Sequence, residues 1–230
     1  MLIGGQWRAG QAEFEDVDPY RHEVVARVAE STLEDLNDAL NAAVAARPTI
    51  AAMPAYDRAA LLRRVGHLLA ERARSDCGDH GARDRKSDQG CQDGSLAVAG
   101  YDHIAAGNSV VLKPPSAAPA VVHALVELFV DAGTPPGVLN VVYGRAMGPA
   151  LVRDPRVDFI TFTGSGRTGT DIKAASGLRR VALELGNNGP TIVHADGNLE
   201  EATPLCARKS FDVLAQAQAE FQEILDKTEK

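Results

Sequence analysis

Residues 158–169 read Asp-Phe-Ile-Thr-Phe-Thr-Gly-Ser-Gly-Arg-Thr-Gly. Gly164, Gly166 and Gly169 stand there in a G-x-G-x-x-G spacing, directly after the β-branched and aromatic run from Val157 to Phe162. Such a turn between a strand and a helix lets the backbone approach a phosphate and aims a helix N-terminus at its charge. The plainer alternative is a strand–turn–helix corner that binds nothing. Glu184 lies 20 positions after Gly164, the distance at which a dinucleotide site places the acid that holds the adenosine ribose. Two other readings fit equally well. Glu184 next to Gly186 at a strand end suits a general base, and it also suits a simple ion pair with Arg179 or Arg180. Spacing leaves all three open. Lys113 closes another predicted strand, with Ser116 three residues later. In an open parallel sheet, ligands bind beyond the carboxyl ends of the strands, so this ammonium and hydroxyl are candidates for ribose or phosphate oxygens. A lysine exposed at a strand end also occurs with no ligand at all.

The elements that must position these residues follow from periodicity. Leu2 to Tyr20, with Gly4-Gly5 and Asp18-Pro19, reads as a hairpin or extended arm, and Glu23 to Ala29 as a strand. Ser31-x-x-Glu34 has the form of a capping box. Leu33, Leu36, Leu40 and Val44 then recur at helical spacing up to Arg47-Pro48. A second helix is predicted from about Asp57 to Arg74, with His67 on its solvated side. From Asp76 to Gly94 no period survives, and a polar loop is predicted. Cys77-x-x-His80 with Cys91 begins a zinc pattern, but no second close ligand pair follows, so no metal is expected. Asn108 to Lys113 is a strand, Val121 to Phe129 a helix face ending at Gly133, and Val138 to Val142 a strand. Met147 to Val152 is a short helix, Thr170 to Ser176 a helix, and Arg180 to Leu185 and Pro190 to His194 are strands. Strands alternating with helices at this spacing predict βαβ units. Ser210 to Lys230 carries an amphipathic helical pattern suited to packing on the sheet or on a partner, including a second copy of the chain.

The 230 residues carry a net charge of −7 and a sequence pI near 5.4. That balance argues against nucleic acid or an anionic membrane as partner. No apolar run reaches bilayer length, the first residues lack the order of a signal peptide, and three scattered cysteines suggest no disulfide framework. The cytoplasm is the expected compartment.

Taken together, the motifs resemble the aldehyde dehydrogenase superfamily over roughly residues 1–75 and 104–204. Gly107-Asn-Ser-Val-Val-Leu-Lys-Pro114 resembles the family's strand and adenosine-ribose lysine. Ala132-Gly133-x-Pro135-Pro136-Gly137-Val-Leu-Asn140-Val resembles its next turn and strand. Phe162-Thr-Gly-Ser165 with Gly169 resembles its pyrophosphate turn, and Leu183-Glu-Leu-Gly186 its glutamate motif. The resemblance implies an α/β fold, a Rossmann-like parallel sheet with flanking helices, incomplete relative to the family fold. It implies NADP or NAD as cofactor and an aldehyde as substrate, oxidised to the acid. It assigns Lys113 to the ribose, Gly164, Ser165 and Gly169 to the pyrophosphate, Gly186 to the cofactor site, and Glu184 to general-base catalysis near the thioester. NAD-selective members often carry Glu at the position of Ser116. A carboxylate there repels a 2′-phosphate while a serine donates to it, so NADP is expected to be tolerated or preferred.

The departures are absences. The family's nucleophilic cysteine sits in a Gly-Gln-x-Cys-like segment well beyond the glutamate motif, whereas after Glu184 the sequence holds only Cys206, in Thr-Pro-Leu-Cys-Ala-Arg-Lys. The Asn of the family's Asn-Phe-Pro loop, the oxyanion donor, has no counterpart, and Asn187 replaces the Gly that follows Gly186 in the motif. A frame-shifted segment over residues 76–101 and a replaced stretch beyond about Thr203 would explain these differences. The expected organisation is an N-terminal arm and helices over 1–75, a polar linker over 76–103, the cofactor-binding core over 104–204 and a C-terminal helix over 205–230, without the catalytic domain. The chain is therefore expected not to turn over alone. The alternatives are a non-catalytic nucleotide-binding module, or an interaction protein in which the sheet is scaffold.

Overall fold

Thr32 opens the first long helix. Its hydroxyl accepts the Asp35 N–H while the Asp35 carboxylate accepts the Thr32 N–H, a reciprocal capping box. The box lies one residue later than the predicted Ser31/Glu34 pair. Ser31 is instead buried, its hydroxyl accepting the Tyr143 N–H at 2.9 Å. The computed structural model describes residues 1–17, 22–79, 102–116, 119–186, 192–194 and 196–212, with backbone alone for 73–79, 205 and 207–212. Helix α1, Leu33–Ala52, runs through Pro48 rather than stopping there. Ala43, Ala46 and Ile50 keep its apolar stripe buried on both sides of the proline, and this burial outweighs one missing hydrogen bond. Helix α2, Ala55–Asp79, likewise extends past the predicted Arg74, so residues 76–79 are helical and not loop. Cys77 has a described backbone only, and His80 and Cys91 lie outside the described residues.

Two compact units form, Met1–Arg156 and Val157–Lys230. Their boundary falls inside the 104–204 stretch that the motifs mark as one core. In the first unit, β1 (Leu2–Ile3) and β2 (Gln6–Trp7) make a two-residue hairpin around Gly4 and Gly5, both at positive φ. Strands β3 (Ala12–Val17) and β4 (Val24–Glu30) form an antiparallel pair. Buried Asp16 on β3 accepts the Ala120 N–H at 3.2 Å, tying this pair to the start of α3 (Pro119–Asp131). Strand β5 (Val110–Leu112), α3 and β6 (Leu139–Val141) complete a βαβ unit whose strands pair parallel, Leu112 opposite Val141. The wider sheet has the order β2-β1-β6-β5. It is mixed, because β1 joins β6 antiparallel. Fully buried Asn140 makes that junction: it donates to the Gly137 carbonyl at 2.7 Å and accepts the Gly4 N–H at 2.9 Å. Leu36, Leu40, Leu61, Val65, Val126 and Phe129 fill the core around this sheet. Helix α4, Met147–Arg153, follows, and Arg156 then clasps Asp154 and the side chains of Asn37 and Asn41 on α1.

The second unit is another βαβ: β7 (Phe159–Gly164), α5 (Gly166–Ala175) and β8 (Arg180–Leu185), its strands parallel. The class is thus α/β with parallel pairs and flanking helices, divided between a mixed sheet and a separate parallel pair. The predicted strand at Pro190 to His194 does not form over residues 192–194, where Ile192 is exposed and a turn closes from Gly197 to His194. Residues 187–191 lie outside the described residues. Helix α6, Leu199–Asp212, contains Cys206, and the predicted tail helix beyond residue 212 also lies outside them.

Candidate functional site

The glycine turn is built from three different demands. Gly164, the last residue of β7, is buried, and a Cβ there would sit 2.5 Å from Cζ of Phe162. Gly169 is buried one turn into α5, and a Cβ there would sit 2.6 Å from Cδ2 of Leu185. Its lack of a side chain therefore sets how closely α5 packs on β8. Gly166 differs: it is exposed, and a Cβ there would meet nothing within 4 Å. No internal packing requires glycine at this position. What glycine leaves there is bare backbone at the first position of a helix, the property needed for close approach of a phosphate. Sequence reasoning placed Gly166 in the pattern without assigning it to the site.

Ser165 is the N-cap of α5, its hydroxyl accepting the Thr168 N–H at 3.3 Å. Helix geometry leaves the amides of Gly166 and Arg167 without an intrahelical acceptor, on the positive end of the helix dipole. In the parallel register Gly164 faces Leu185 and Thr163 faces Glu184. The strand pairing therefore brings Gly164, Ser165, Glu184 and Gly186 to one end of one strand pair, the carboxyl end. Glu184 and Gly186 are exposed. Among the described residues Glu184 has no ion-pair partner. The Arg179 guanidinium donates instead to the Ser176 and Ala175 carbonyls, which bind it to the end of α5. The reading of Glu184 as a simple ion-paired carboxylate is set aside on this ground.

Lys113 and Ser116 belong to the first unit, just past the carboxyl end of β5. Both are half-buried. Burial holds the Lys113 ammonium below its ordinary pKa, and the nearby Arg145 guanidinium adds to the effect. Arg145 follows Gly144, a buried glycine at φ +106° just beyond β6, and is exposed. No motif singled out Arg145. The parallel pairing of β5 with β6 is the one signal that places it beside Lys113. Among the described residues no cluster of His, Cys, Asp or Glu could hold a metal ion, and no helix is long and apolar enough to cross a membrane.

Comparison with known proteins identifies the family. The profile of the aldehyde dehydrogenase family matches residues 7–77 and 97–218. The chain belongs to the aldehyde dehydrogenase family. The match resumes earlier and ends later than the motifs alone reach. A 3-sulfolactaldehyde dehydrogenase of Priestia aryabhattai is 46% identical over 123 residues, 53% of this chain and 26% of that protein. An aldehyde dehydrogenase from Pseudomonas syringae, solved with NAD+ and octanal, superposes with a TM-score of 0.76 at 27% identity, covering 91% of this chain and 55% of that one. An NADP-dependent enzyme from E. coli superposes at 0.78 with 26% identity, covering 91% and 56%. The chain spans about half the length of these solved relatives and matches about a quarter of the curated one.

Proposed function

We propose that these residues form the cofactor-binding part of an NAD(P)-dependent aldehyde dehydrogenase. The observation that carries the reading is the division of roles among three glycines. Gly164 and Gly169 are demanded by packing, while Gly166 leaves exposed backbone at the capped start of a helix. In each unit the fit to a part of a dinucleotide is chemical. Amides at a helix start meet a pyrophosphate, and a lysine and a serine at a strand end meet a ribose. When bound, NAD(P) accepts the hydride of the oxidation. Lys113 and Ser116 hold the adenosine ribose, and the Ser116 hydroxyl accommodates a 2′-phosphate. Gly164, Ser165, Gly166 and Gly169 shape the pyrophosphate turn. Glu184, an exposed carboxylate without an ion-pair partner among the described residues, takes a proton from water. Gly186 follows it at the same strand end.

A polypeptide of these 230 residues is expected to bind cofactor without oxidising aldehyde. Its cysteines, Cys77, Cys91 and Cys206, stand outside the pattern that supplies the family's nucleophile. The test is unfolding free energy measured with and without cofactor, next to an aldehyde-dependent assay of reduced cofactor. Saturation at 100 times the dissociation constant should stabilise the chain by about 2.7 kcal/mol, with no reduced cofactor formed. Absence of stabilisation by NADP and by NAD would refute the binding reading. Cofactor reduction dependent on aldehyde would refute the reading of the cysteines.

A further inference from the structure

Four elements of the first unit meet at His123, on α3. The Trp7 ring of β2 lies over it, with ring centroids 4.5 Å apart and planes tilted by 47°. The Tyr143 hydroxyl, just past the end of β6, stands 3.0 Å from its Nδ1. Its Nε2 lies 3.8 Å from Glu127, one turn along α3, and Glu127 is itself paired with Arg72 of α2. Tyr143 is buried, and among the described residues its hydroxyl has no other hydrogen-bond partner. The phenol therefore donates to Nδ1, and the neutral ring carries its own proton on Nε2, toward Glu127. Little else holds β2 in place. It has two residues, both exposed, paired with β1 as Leu2–Trp7 and Ile3–Gln6. Beyond it the backbones of Met1 and Arg8 bond to each other, and Arg8 pairs with Asp38 at the surface, where ion pairs add little. In the sheet order β2-β1-β6-β5, this short strand is what covers the outer edge of β1.

A proton on the ring sets two donors face to face. Imidazolium carries N–H on both nitrogens, so Nδ1 no longer accepts, and the buried Tyr143 O–H is left without an acceptor, the costly case for a hydrogen-bonding group. The surrounding charges divide. Glu127 favours the imidazolium, but it is half-buried and shared with Arg72. The face of Trp7 favours it as well. The Met1 ammonium on β1 opposes it, and burial of the ring opposes it most. The other charged groups on neighbouring elements are engaged elsewhere: Asp16 of β3 with the Ala120 N–H, Arg8 with Asp38, and Glu30 of β4 beside Gly144. The charged ring is thus a poor fit in the closed arrangement, and movement toward solvent relieves it. We propose that His123 is a proton-operated latch: neutral, it holds Trp7 and keeps β2 closed over the outer edge of β1; protonated, it lets β2 lift from that edge. An unpaired strand edge is a template for pairing with another chain, so the latch governs whether this edge is open to one.

Trp7 is the only tryptophan in the sequence, so its fluorescence reads the latch directly. The experiment follows acrylamide quenching of Trp7 in the full chain from about pH 8 to about pH 5, the range in which histidine changes charge. Circular dichroism and an NMR titration of the His123 ring run alongside. Quenching should rise as pH falls, in step with the ring and with a midpoint below 6.5, while the circular dichroism stays unchanged. His123→Asn keeps an acceptor in the place of Nδ1 and takes no proton, so its quenching should stay flat. Tyr143→Phe removes the donor that opposes the charge, so the midpoint should move up toward 6.5. If His123→Asn does not fold, Tyr143→Phe carries the test by itself. Quenching that stays flat while His123 titrates, a rise that persists in folded His123→Asn, or a midpoint unmoved in Tyr143→Phe overturns the inference. Loss of the circular dichroism in step with quenching also overturns it, since that marks general unfolding and not the release of one strand.

Discussion

Gly166 and Gly169 are three residues apart in one turn of α5, and alanine should act on them in opposite ways. At Gly166 φ is not positive and a Cβ meets nothing within 4 Å, so the new methyl enters open space. Alanine in a compatible conformation narrows the unfolded ensemble and should stabilise the chain by about 0.4–1 kcal/mol. The same methyl covers the exposed backbone at the helix start. Disturbing one amide-to-phosphate hydrogen bond, about 1.5–3 kcal/mol for a charged acceptor, should weaken dinucleotide binding about tenfold to hundredfold. At Gly169 the methyl would stand 2.6 and 2.9 Å from the two δ-carbons of Leu185. Carbon atoms rest about 3.5–4.0 Å apart, so Leu185 must move or α5 must lift from β8. Overpacking of this kind costs about 1–3 kcal/mol, offset by about 0.5–1 kcal/mol because alanine suits a helix better than glycine. A net loss of about 1 kcal/mol follows, which places Gly169→Ala about 1.5 kcal/mol below Gly166→Ala. Urea unfolding followed by circular dichroism gives the two stabilities, and fluorescence titration with NADP gives the affinities. Equal stability of the two variants would refute the packing argument. Wild-type affinity in Gly166→Ala would refute the claim that its bare backbone meets the phosphate.

Asn140→Leu should lower the unfolding free energy by about 2–4 kcal/mol, since it leaves the Gly4 N–H and the Gly137 carbonyl without their partner at a fully buried position. Denaturant unfolding of this variant measures the loss, and a value under about 1 kcal/mol would contradict the role given to this side chain. Tyr143, buried and facing Glu127, has its phenol pushed up to about 12, so its contribution to stability is complete below the ordinary pKa near 10.0 and fades as pH rises from there to about 12. Ultraviolet titration should show one late-ionising phenol that Tyr143→Phe removes. His123, whose Nδ1 lies 3.0 Å from the Tyr143 hydroxyl, is held below its ordinary 6.5, chiefly by burial. Its neutral form therefore favours the folded state, and this contribution is lost as pH falls from 6.5 through the lower folded value. An NMR titration of His123 with a midpoint at or above 6.5 would contradict it.

Much of the site was legible because its signals are local. The glycine spacing, the preceding β-branched run and the Glu184 motif each lie within a few residues, and β7, α5 and β8 form close to where periodicity puts them. What sequence could not supply depended on contacts far along the chain. Ser31-x-x-Glu34 and Thr32-x-x-Asp35 both fit a capping box, and the choice was made by Tyr143, whose backbone engages Ser31 across 112 residues. Pro48 marked a helix end by local rules, yet the buried stripe through Ile50 carried α1 onward. The antiparallel addition of β1 to β6 has no local signature, because it rests on Asn140 reaching Gly4. Arg145 became visible only when β5 and β6 paired. Gly166 sat in plain view, but its exposure separated it from its two packed neighbours only once the helix was placed on the strand.

The most direct test of the central claim is a calorimetric titration of the folded 230-residue chain with NADP and then with NAD. The account predicts micromolar binding, with NADP the tighter of the two. A chain shown by circular dichroism to be folded, yet giving no heat of binding with either dinucleotide, would contradict it.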